Sequence, residues 1–241
     1  MNVRYCEDYD SLSTQAGSLV VAEITKKKNL LLCAATGNSP IGLYQHLVRA
    51  SAADTSLCAA LRIIKLDEWV GIPENGPGSC ERYLRTRLLD PLGIASERYI
   101  AFASMPLDPS EECRRIRSEL ERHGPIDLCI LGLGANGHIG FNEPGPSLMP
   151  QCHVARLSEE SRRHAMVQSL HPVPHFGLTL GMQEILAARR IVLLVAGDGK
   201  DQAVAGLLSG EVSTTLPASL LWLHQNVDCL IGQNATRGMA V

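Results

Sequence analysis

The stretch IDLCILGLGANGHIGFNEPG, residues 126–145, decides the fold of this 241-residue chain. Its first half is apolar and predicts a buried strand over residues 127–133. Its second half is polar and rich in glycine, and it carries His138 and Glu143. A buried strand that ends in such a loop is typical of α/β proteins, whose ligands lie beyond the carboxyl ends of the strands.

Two interpretations of this loop compete. The segment GLGANG, residues 132–137, fits the G-x-G-x-x-G pattern of dinucleotide-binding proteins. That pattern requires a helix directly after the loop, because the helix N-terminus faces the pyrophosphate. Prolines at 144, 146 and 150 prevent a long helix here. The sequence therefore favours a catalytic loop, in which the glycines make room for His138 and Glu143.

Apolar runs alternate with helical segments along the rest of the chain. The predicted strands are 29–36, 61–67, 98–102, 127–133, 153–157, 190–197 and 227–232. The predicted helices are 40–50, 81–89, 111–123, 179–188 (with Thr179 as a candidate N-cap) and 200–208. Strands that are apolar on both faces predict a mainly parallel open sheet between two helical layers. We expect a three-layer αβα, Rossmann-like α/β fold and a single domain over residues 1–241.

Four polar clusters follow strands of this predicted sheet, so all four should lie on one of its edges. The first consists of Thr36, Gly37, Asn38 and Ser39, before a helix that begins near Pro40. Glycine lets the backbone approach an anion, and a helix N-terminus adds partial positive charge, which predicts a phosphate cradle. An ordinary turn with Ser39 as N-cap explains the same residues.

The second cluster precedes a helix and contains Lys200, which could supply the formal charge that a phosphate favours. A solvated lysine is the alternative. The third contains Asp67 and Glu68, directly after a strand. One carboxylate at a strand end can act as a general base, although a helix cap or a surface charge is also consistent with the pattern.

The fourth cluster is the opening loop, where Glu143 could orient the imidazole of His138 and stabilise its charged form. No G-x-S-x-G motif or reactive-cysteine signature occurs, which disfavours covalent hydrolysis. The pair His171 and His175 lacks nearby partners for a zinc site, and we expect no metal.

Bulk properties limit the class of protein. A net charge of −3 argues against nucleic acid as a partner. The chain has no run of eighteen apolar residues and no secretory pattern at its start, so we expect no membrane partner. The eight cysteines include no C-x-x-C pair, and several lie in apolar runs. Buried free thiols in a reducing, cytoplasmic setting are the expected interpretation.

Four motifs in this order resemble the glucosamine-6-phosphate deaminase family: ATGNSP, KLDEW with VGIP, LGLGANGHIGFNEPG and AGDGK. The resemblance covers nearly the whole chain. Further segments are similar to the galactosamine-6-phosphate deaminase/isomerase branch, namely GPGSCERYL, PSLMPQCHVARL, LTLGMQEILAARRIVLLVAGDGK and VSTTLPASLLWLH.

The resemblance implies a sugar-phosphate substrate, held by the loop at residues 36–39 and by Lys200. It implies that His138, oriented by Glu143, opens the sugar ring, and that Asp67 moves a proton from C2 to C1. Water would then release ammonia, leaving a ketose phosphate with the fructose or the tagatose configuration. No metal or organic cofactor is implied, because the substrate's own amine becomes the iminium. The oligomeric state is left open, with a homo-oligomer as one alternative.

Three positions depart from the family pattern. Asn136 stands where many members have aspartate; it can orient a neighbour by hydrogen bonds but cannot act as a base. Val167 falls where the family has a phosphate-binding arginine, which Arg162 or Arg163 could replace only with a different local backbone. His153 and Ala155 fall where some hexameric members have the basic residues of an allosteric site, so that site is expected to be absent.

Two other functions are alternatives for this sequence. The related 6-phosphogluconolactonases have a Gly-His loop that continues differently from GFNEP. A sugar-phosphate-sensing domain of a transcriptional regulator would carry a DNA-binding segment, for which this chain has no basic region. We expect a galactosamine 6-phosphate substrate rather than the gluco epimer, although no residue in the sequence can be assigned to the C4 hydroxyl.

Overall fold

The computed structural model describes residues 1–236 and contains two sheets. The larger sheet has seven strands, all parallel to their neighbours, in the order β1-β10-β9-β6-β2-β3-β5. Its strands are β1 (Asn2–Cys6), β2 (Leu31–Ala34), β3 (Arg62–Lys65), β5 (Tyr99–Ile100), β6 (Leu128–Gly132), β9 (Arg190–Val195) and β10 (Val227–Gly232). The predicted α/β fold with a mainly parallel open sheet is confirmed. The last five residues of the predicted 1–241 domain lie outside the described residues.

Helices lie along the chain between these strands. They are α1 (Tyr9–Lys26), α2 (Ile41–Ala53), α3 (Cys80–Leu84), α4 (Pro109–His123), α5 (Glu159–Arg162), α6 (Met182–Leu186) and α7 (Asp201–Leu208). Short 3₁₀ segments occur at Ser96–Arg98, Pro217–Leu223 and Gln233–Thr236, and Arg85–Leu89 continues α3 as a π-helix. The patterns in the sequence located most of these elements but did not predict β1 or α1.

The central strands are buried on both faces, which is why their sequences are continuously apolar. In β2, Leu31 and Cys33 point into one hydrophobic cluster, and Leu32 and Ala34 point into a second cluster on the other side. Successive strand residues alternate between faces, so one strand contributes to both layers of the core. The sheet is therefore fixed between two helical layers, and its strand ends are rigid supports for the loops that follow.

A second sheet of three antiparallel strands was not predicted. It is formed by β4 (Asp67–Trp69), β8 (Phe176–Thr179) and β7 (His153–Arg156), in that order. After β3 the chain leaves the parallel sheet at Leu66 and enters β4 at once. Asp67 thus lies where the chain changes from one sheet to the other.

The second sheet corrects one sequence prediction. Residues 179–188 were expected to form a helix with Thr179 as its N-cap, but Thr179 ends strand β8 and the helix begins at Met182. The Thr179 hydroxyl accepts a hydrogen bond from the backbone N–H of Phe141 at 3.2 Å and donates to the carbonyl of Leu180. Long-range strand pairing has overridden a local capping signal here.

All eight cysteines are free and buried, as the sequence predicts. Over residues 1–236, no helix combines the length and the apolar character needed to cross a membrane.

Candidate active site

Four neighbouring parallel strands, in the order β9-β6-β2-β3, carry the four predicted polar clusters at their carboxyl ends. Lys200 follows β9, His138 follows β6, Thr36 follows β2 and Asp67 follows β3. Because the strands are adjacent and parallel, the clusters meet along one edge of the sheet. The structure thus brings together the residues that the sequence nominates.

The glycines of the opening loop allow two close approaches. A Cβ atom at Gly134 would lie 2.5 Å from Nε2 of His138, so the imidazole packs directly on this residue. Gly140 has a positive φ of 56°, and a Cβ there would lie 2.8 Å from Oγ1 of Thr179 and 3.4 Å from Oδ2 of Asp67. Side chains at these positions would displace the histidine or separate the loop from Asp67. The buried strand is therefore followed by glycines because the loop passes close to the side chains of His138, Thr179 and Asp67.

His138 is held by a network of polar side chains. Its Nδ1 lies 3.5 Å from Oε2 of Glu143 and 3.3 Å from Oγ of Ser161. Ser161 donates to Oε1 of Glu143 at 2.5 Å. Asn136 donates to Oε2 of the same carboxylate at 3.1 Å and accepts from the backbone N–H of His138 at 3.1 Å. The network holds the Nδ1 side of the ring, so Nε2 is left to face a ligand.

The charge of Glu143 is fixed by these contacts. Burial alone would raise the pKa of its carboxyl, but His138, the Ser161 hydroxyl and the Ser158 N–H outweigh burial and lower this pKa to about 2. Asn136 adds an amide donor where an aspartate would add a second negative charge. Glu143 is therefore anionic at neutral pH.

Asp67 and Glu68, adjacent in sequence, have different environments. The carboxylate of Glu68 accepts hydrogen bonds from Nζ of Lys65 at 2.7 Å and from three backbone N–H groups, each at 2.9 Å: those of Trp69, Cys80 and Glu81. Two of these N–H groups begin α3. Glu68 is fully buried and serves as an anchor for this helix, whereas Asp67 has no comparable set of donors.

Asp67 is buried with one weak side-chain contact, from the thiol of Cys80 at 3.9 Å. Burial, followed by the negative charge of Glu68, raises the pKa of Asp67 to about 7, and the opposing charge of Lys65 limits the rise. A carboxylate with a pKa close to neutral is suited to general-base catalysis. The same thiol lies 3.6 Å from Oγ1 of Thr36, so it connects Asp67 to the loop after β2.

The loop formed by Thr36, Gly37, Asn38 and Ser39 is held through its carbonyl oxygens. Tyr83 donates to the carbonyl of Gly37 at 2.5 Å, and Tyr9 donates to that of Asn38 at 2.9 Å. The alternative of Ser39 as N-cap is wrong, because the N-cap residue of α2 is Pro40, and the N–H of Gly42 in the first turn donates to the hydroxyl of Tyr9 at 2.9 Å. Gly37 has a positive φ of 95°, which turns the backbone in a way that suits glycine.

Lys200 lies at the N-cap position of α7, at the opposite side of β6 from Asp67. Burial lowers the pKa of its ammonium to about 8. Lys200 is half-buried, so it is only partly exposed to solvent. Its positive charge also lowers the pKa of His164, which places the two groups in one electrostatic environment.

The region of the missing family arginine contains a histidine, His164, to which the sequence analysis assigned no role. Val167 is fully buried against the second sheet, and Arg163 is exposed beside Glu159. Arg162 is half-buried, and its Nε has no hydrogen-bond partner in the part of the chain that is described. His164 lies over the loop of residues 36–39, since a Cβ at Gly37 would lie 3.7 Å from its Nε2.

Ser161, Cys80, Tyr83 and His164 all belong to the site, and the sequence analysis assigned a role to none of them. Each lies far along the chain from the residue that it contacts, and no spacing links the two partners. Only the pairing of the second sheet and the packing of α3 bring them to the edge of the large sheet.

The fold and the site define a class of α/β protein in which titratable side chains and a glycine-containing loop meet at the ends of parallel strands. The chain belongs to the family described as glucosamine-6-phosphate isomerases/6-phosphogluconolactonase, whose model matches residues 7–230.

Relatives with assigned names give the same result. The chain is 42% identical over 225 residues to the presumed deaminase AgaI of Escherichia coli (strain K12), covering 93% of this chain and 89% of that protein. It is 35% identical over 237 residues to glucosamine-6-phosphate deaminase 1 of Bacillus subtilis (strain 168), covering 98% of each. The predicted resemblance, and the prediction of an enzyme of this kind, are confirmed.

Solved structures agree on the fold. A monomeric glucosamine-6-phosphate deaminase superposes with a TM-score of 0.92 at 35% identity, covering 98% of both chains. The 6-phosphogluconolactonase of Trypanosoma brucei superposes with a TM-score of 0.76 at 21% identity, covering 99% of this chain and 98% of the other. The latter likeness concerns the fold alone. The first of these relatives is monomeric, and a homo-oligomer stays an alternative to a monomer for this chain.

Proposed function

We propose that this protein is a hexosamine-6-phosphate deaminase that converts galactosamine 6-phosphate into tagatose 6-phosphate and ammonia. The observation that carries the proposal is the contrast between Asp67, a buried carboxylate with a pKa of about 7, and Glu68, whose oxygens are all engaged. The match to AgaI supports the galacto substrate. The gluco substrate, with fructose 6-phosphate as product, is the alternative, since several relatives are named glucosamine-6-phosphate deaminases.

In the proposed reaction the 6-phosphate binds the loop of Thr36, Gly37, Asn38 and Ser39, and the ammonium of Lys200 balances its charge. His138 then opens the pyranose ring by moving a proton between the C1 hydroxyl and the ring oxygen. Glu143 and Asn136 keep the imidazole in position and stabilise its charged form, as a carboxylate does for a catalytic histidine.

Asp67 acts on the open-chain aldehyde. Its carboxylate removes the proton from C2, and the electron pair forms a C1–C2 double bond as the C1 carbonyl oxygen takes a proton from solvent and becomes a hydroxyl. Asp67 then returns the C2 proton to C1, and the C2 amine becomes a cationic iminium. Water adds to C2 and returns one proton to solvent, and loss of ammonia leaves the ketose 6-phosphate. The substrate's own amine thus forms the iminium, and the reaction requires no metal or organic cofactor.

The direct test of the proposed function measures ammonia release from galactosamine 6-phosphate and glucosamine 6-phosphate, with the ketose product identified. We expect turnover of both substrates, with the higher kcat/KM for the galacto epimer. A higher value for the gluco epimer would overturn the substrate assignment alone. Absence of ammonia from both would overturn the proposed function.

Replacement of Lys200 by alanine is expected to raise KM by about ten- to a hundredfold, because a hydrogen bond to a charged group contributes about 1.5–3 kcal/mol. In the wild type, KM should also rise as the pH increases above about 8, where this lysine loses its proton. KM is obtained from steady-state ammonia release between about pH 6 and pH 9, a range that spans the pKa of Lys200. These measurements test both effects.

Lys28→Ala is the matched control, because Lys28 is an exposed lysine remote from this edge of the sheet. It should leave KM unchanged. Equal turnover of the unphosphorylated hexosamine and its 6-phosphate by the wild type would contradict the proposed phosphate anchor.

Saturation curves are expected to be hyperbolic. His153 and Ala155 lie on β7, where Ala155 is buried and offers no donor, and neither supplies a permanent cation for a second phosphate. An effector without differential affinity for two states shifts no equilibrium. Initial rates with and without N-acetylgalactosamine 6-phosphate check this expectation. A sigmoidal curve that the compound makes hyperbolic would contradict it.

A further inference from the structure

We propose that His164 binds the substrate phosphate, as a hydrogen-bond donor that faces the loop of Gly37. This inference rests on the proposed function for the identity of the substrate, but the anion site itself can be tested without turnover. Four observations support it: the position of the ring, its tautomer, the charges that act on it and the lack of a partner for its donor nitrogen among the described residues.

The position of the ring follows from the loop that it covers. Nε2 lies 3.7 Å from the place that a Cβ at Gly37 would occupy, on the side of the loop where glycine leaves the backbone uncovered. The Gly37 carbonyl is taken by the hydroxyl of Tyr83 at 2.5 Å. The loop is therefore fixed through its carbonyl oxygen, and a ligand that sits on Gly37 also meets His164.

The tautomer is set by the backbone. The N–H of Met166 donates to Nδ1 of His164 at 3.3 Å, so Nδ1 is an acceptor and the proton of the neutral ring resides on Nε2. Nε2 has no hydrogen-bond partner among residues 1–236, and it is the nitrogen directed at the loop. A donor without an acceptor, held over a loop of this type, is suited to an anion.

The surroundings of the ring are cationic and aromatic. The charges that act on His164 are those of His138 and Lys200, and together with burial they lower its pKa. The indole of Trp69 lies against the ring, with a centroid separation of 6.1 Å. A phosphate dianion beside His164 would balance the positive charges that act on this ring.

The backbone around His164 makes its position reproducible. The His164 N–H donates to the carbonyl of Ser161 at 3.1 Å, and its carbonyl accepts from the N–H groups of Val167 and Gln168, each at 2.9 Å. Ser161 also contacts His138 and Glu143. One short segment therefore supplies both the support of the ring-opening histidine and the proposed phosphate donor.

Two variants separate hydrogen bonding from packing. His164→Phe keeps a ring beside Trp69 but removes the donor, and His164→Gln keeps a neutral donor. We expect His164→Phe to raise KM for the 6-phosphate, and the inhibition constant of inorganic phosphate, by about ten- to a hundredfold each. We expect kcat to fall by less than about threefold, and His164→Gln to retain most of the affinity at pH 8, where the wild-type histidine is neutral. His175→Gln, at an exposed histidine, is the matched control.

A spectroscopic measurement on the full-length enzyme tests the site without activity. Long-range ¹H–¹⁵N correlation spectra of the imidazoles should show an unprotonated Nδ1 for His164, and inorganic phosphate should raise the pKa of this ring. Unchanged phosphate inhibition in a folded His164→Phe variant would overturn the proposal, as would a loss confined to kcat. If the wild type releases no ammonia but His164→Phe still loses phosphate binding, the proposed function fails and this site stands.

Discussion

Asp67→Asn is expected to lower kcat by at least about 10²–10⁴-fold, the range that general-base catalysis supplies, while phosphate binding persists. The amide keeps the shape of the side chain but cannot accept the C2 proton. Asp67 makes no strong hydrogen bond, so its replacement should disturb neighbouring residues little. Ammonia release measures the loss, and inhibition constants for inorganic phosphate in mutant and wild type verify that the anion site is intact.

The pH dependence of the wild type gives an independent check of Asp67. Its pKa is raised to about 7, and only the ionised form is a base, so kcat/KM should fall as the pH decreases below about 7. A raised pKa in the folded state also means that the contribution of Asp67 to stability is lost as the pH rises through about 7. Asp67→Asn should therefore unfold at a higher temperature than the wild type at pH 8.

The exposed carboxylate of Asp10 provides the control: Asp10→Asn should change neither turnover nor the acidic limb of the pH profile. Near-wild-type ammonia release by a folded Asp67→Asn variant would remove Asp67 from the mechanism. A melting temperature at pH 8 below that of the wild type would show that its negative charge stabilises the fold.

The second large effect is expected from Lys65→Met, which should lower the free energy of unfolding by about 3–5 kcal/mol. Nζ of Lys65 lies 2.7 Å from Glu68 and 3.0 Å from Glu81, and the side chains of all three residues are at most 2% exposed. Burial lowers the pKa of this lysine, but the two carboxylates outweigh burial and raise it, so the cation persists at neutral pH. Without it, two buried carboxylates lose the cation between them: Glu81 keeps Arg85 at 2.8 Å, but Glu68 keeps only its backbone N–H donors. Urea unfolding at pH 7 measures the loss.

Lys26→Met is the matched control, because it removes a lysine from an exposed ion pair with Glu23 and should cost at most about 1 kcal/mol. Lys65 also restrains the pKa of Asp67, so the acidic limb of kcat/KM in a folded Lys65→Met variant should move to higher pH. An unfolding free energy within about 1 kcal/mol of the wild type would mean that the buried triad contributes little.

The sequence predicted the parallel sheet because its strands are buried on both faces. Runs such as LLLCAA and IVLLV, residues 30–35 and 191–195, must be apolar at every position to reach both helical layers, and this local pattern can be recognised in the sequence. Residues that follow such strands share one edge of the sheet by topology alone. For that reason Thr36, Asp67, His138 and Lys200 could be grouped before any distance was known.

The tertiary structure decided which of these groups are free to react. The sequence alone does not distinguish the carboxylates of Asp67 and Glu68. Only the packing of α3 does so, because its first N–H groups donate to Glu68 and not to Asp67. Thr179 could cap a helix locally, but its pairing with Asp67 in the second sheet prevails because it buries long-range partners. Ser161 and His164 reach the site through that same sheet. Contacts between residues distant along the chain leave no periodic trace in the sequence, since each depends on the path of the whole backbone.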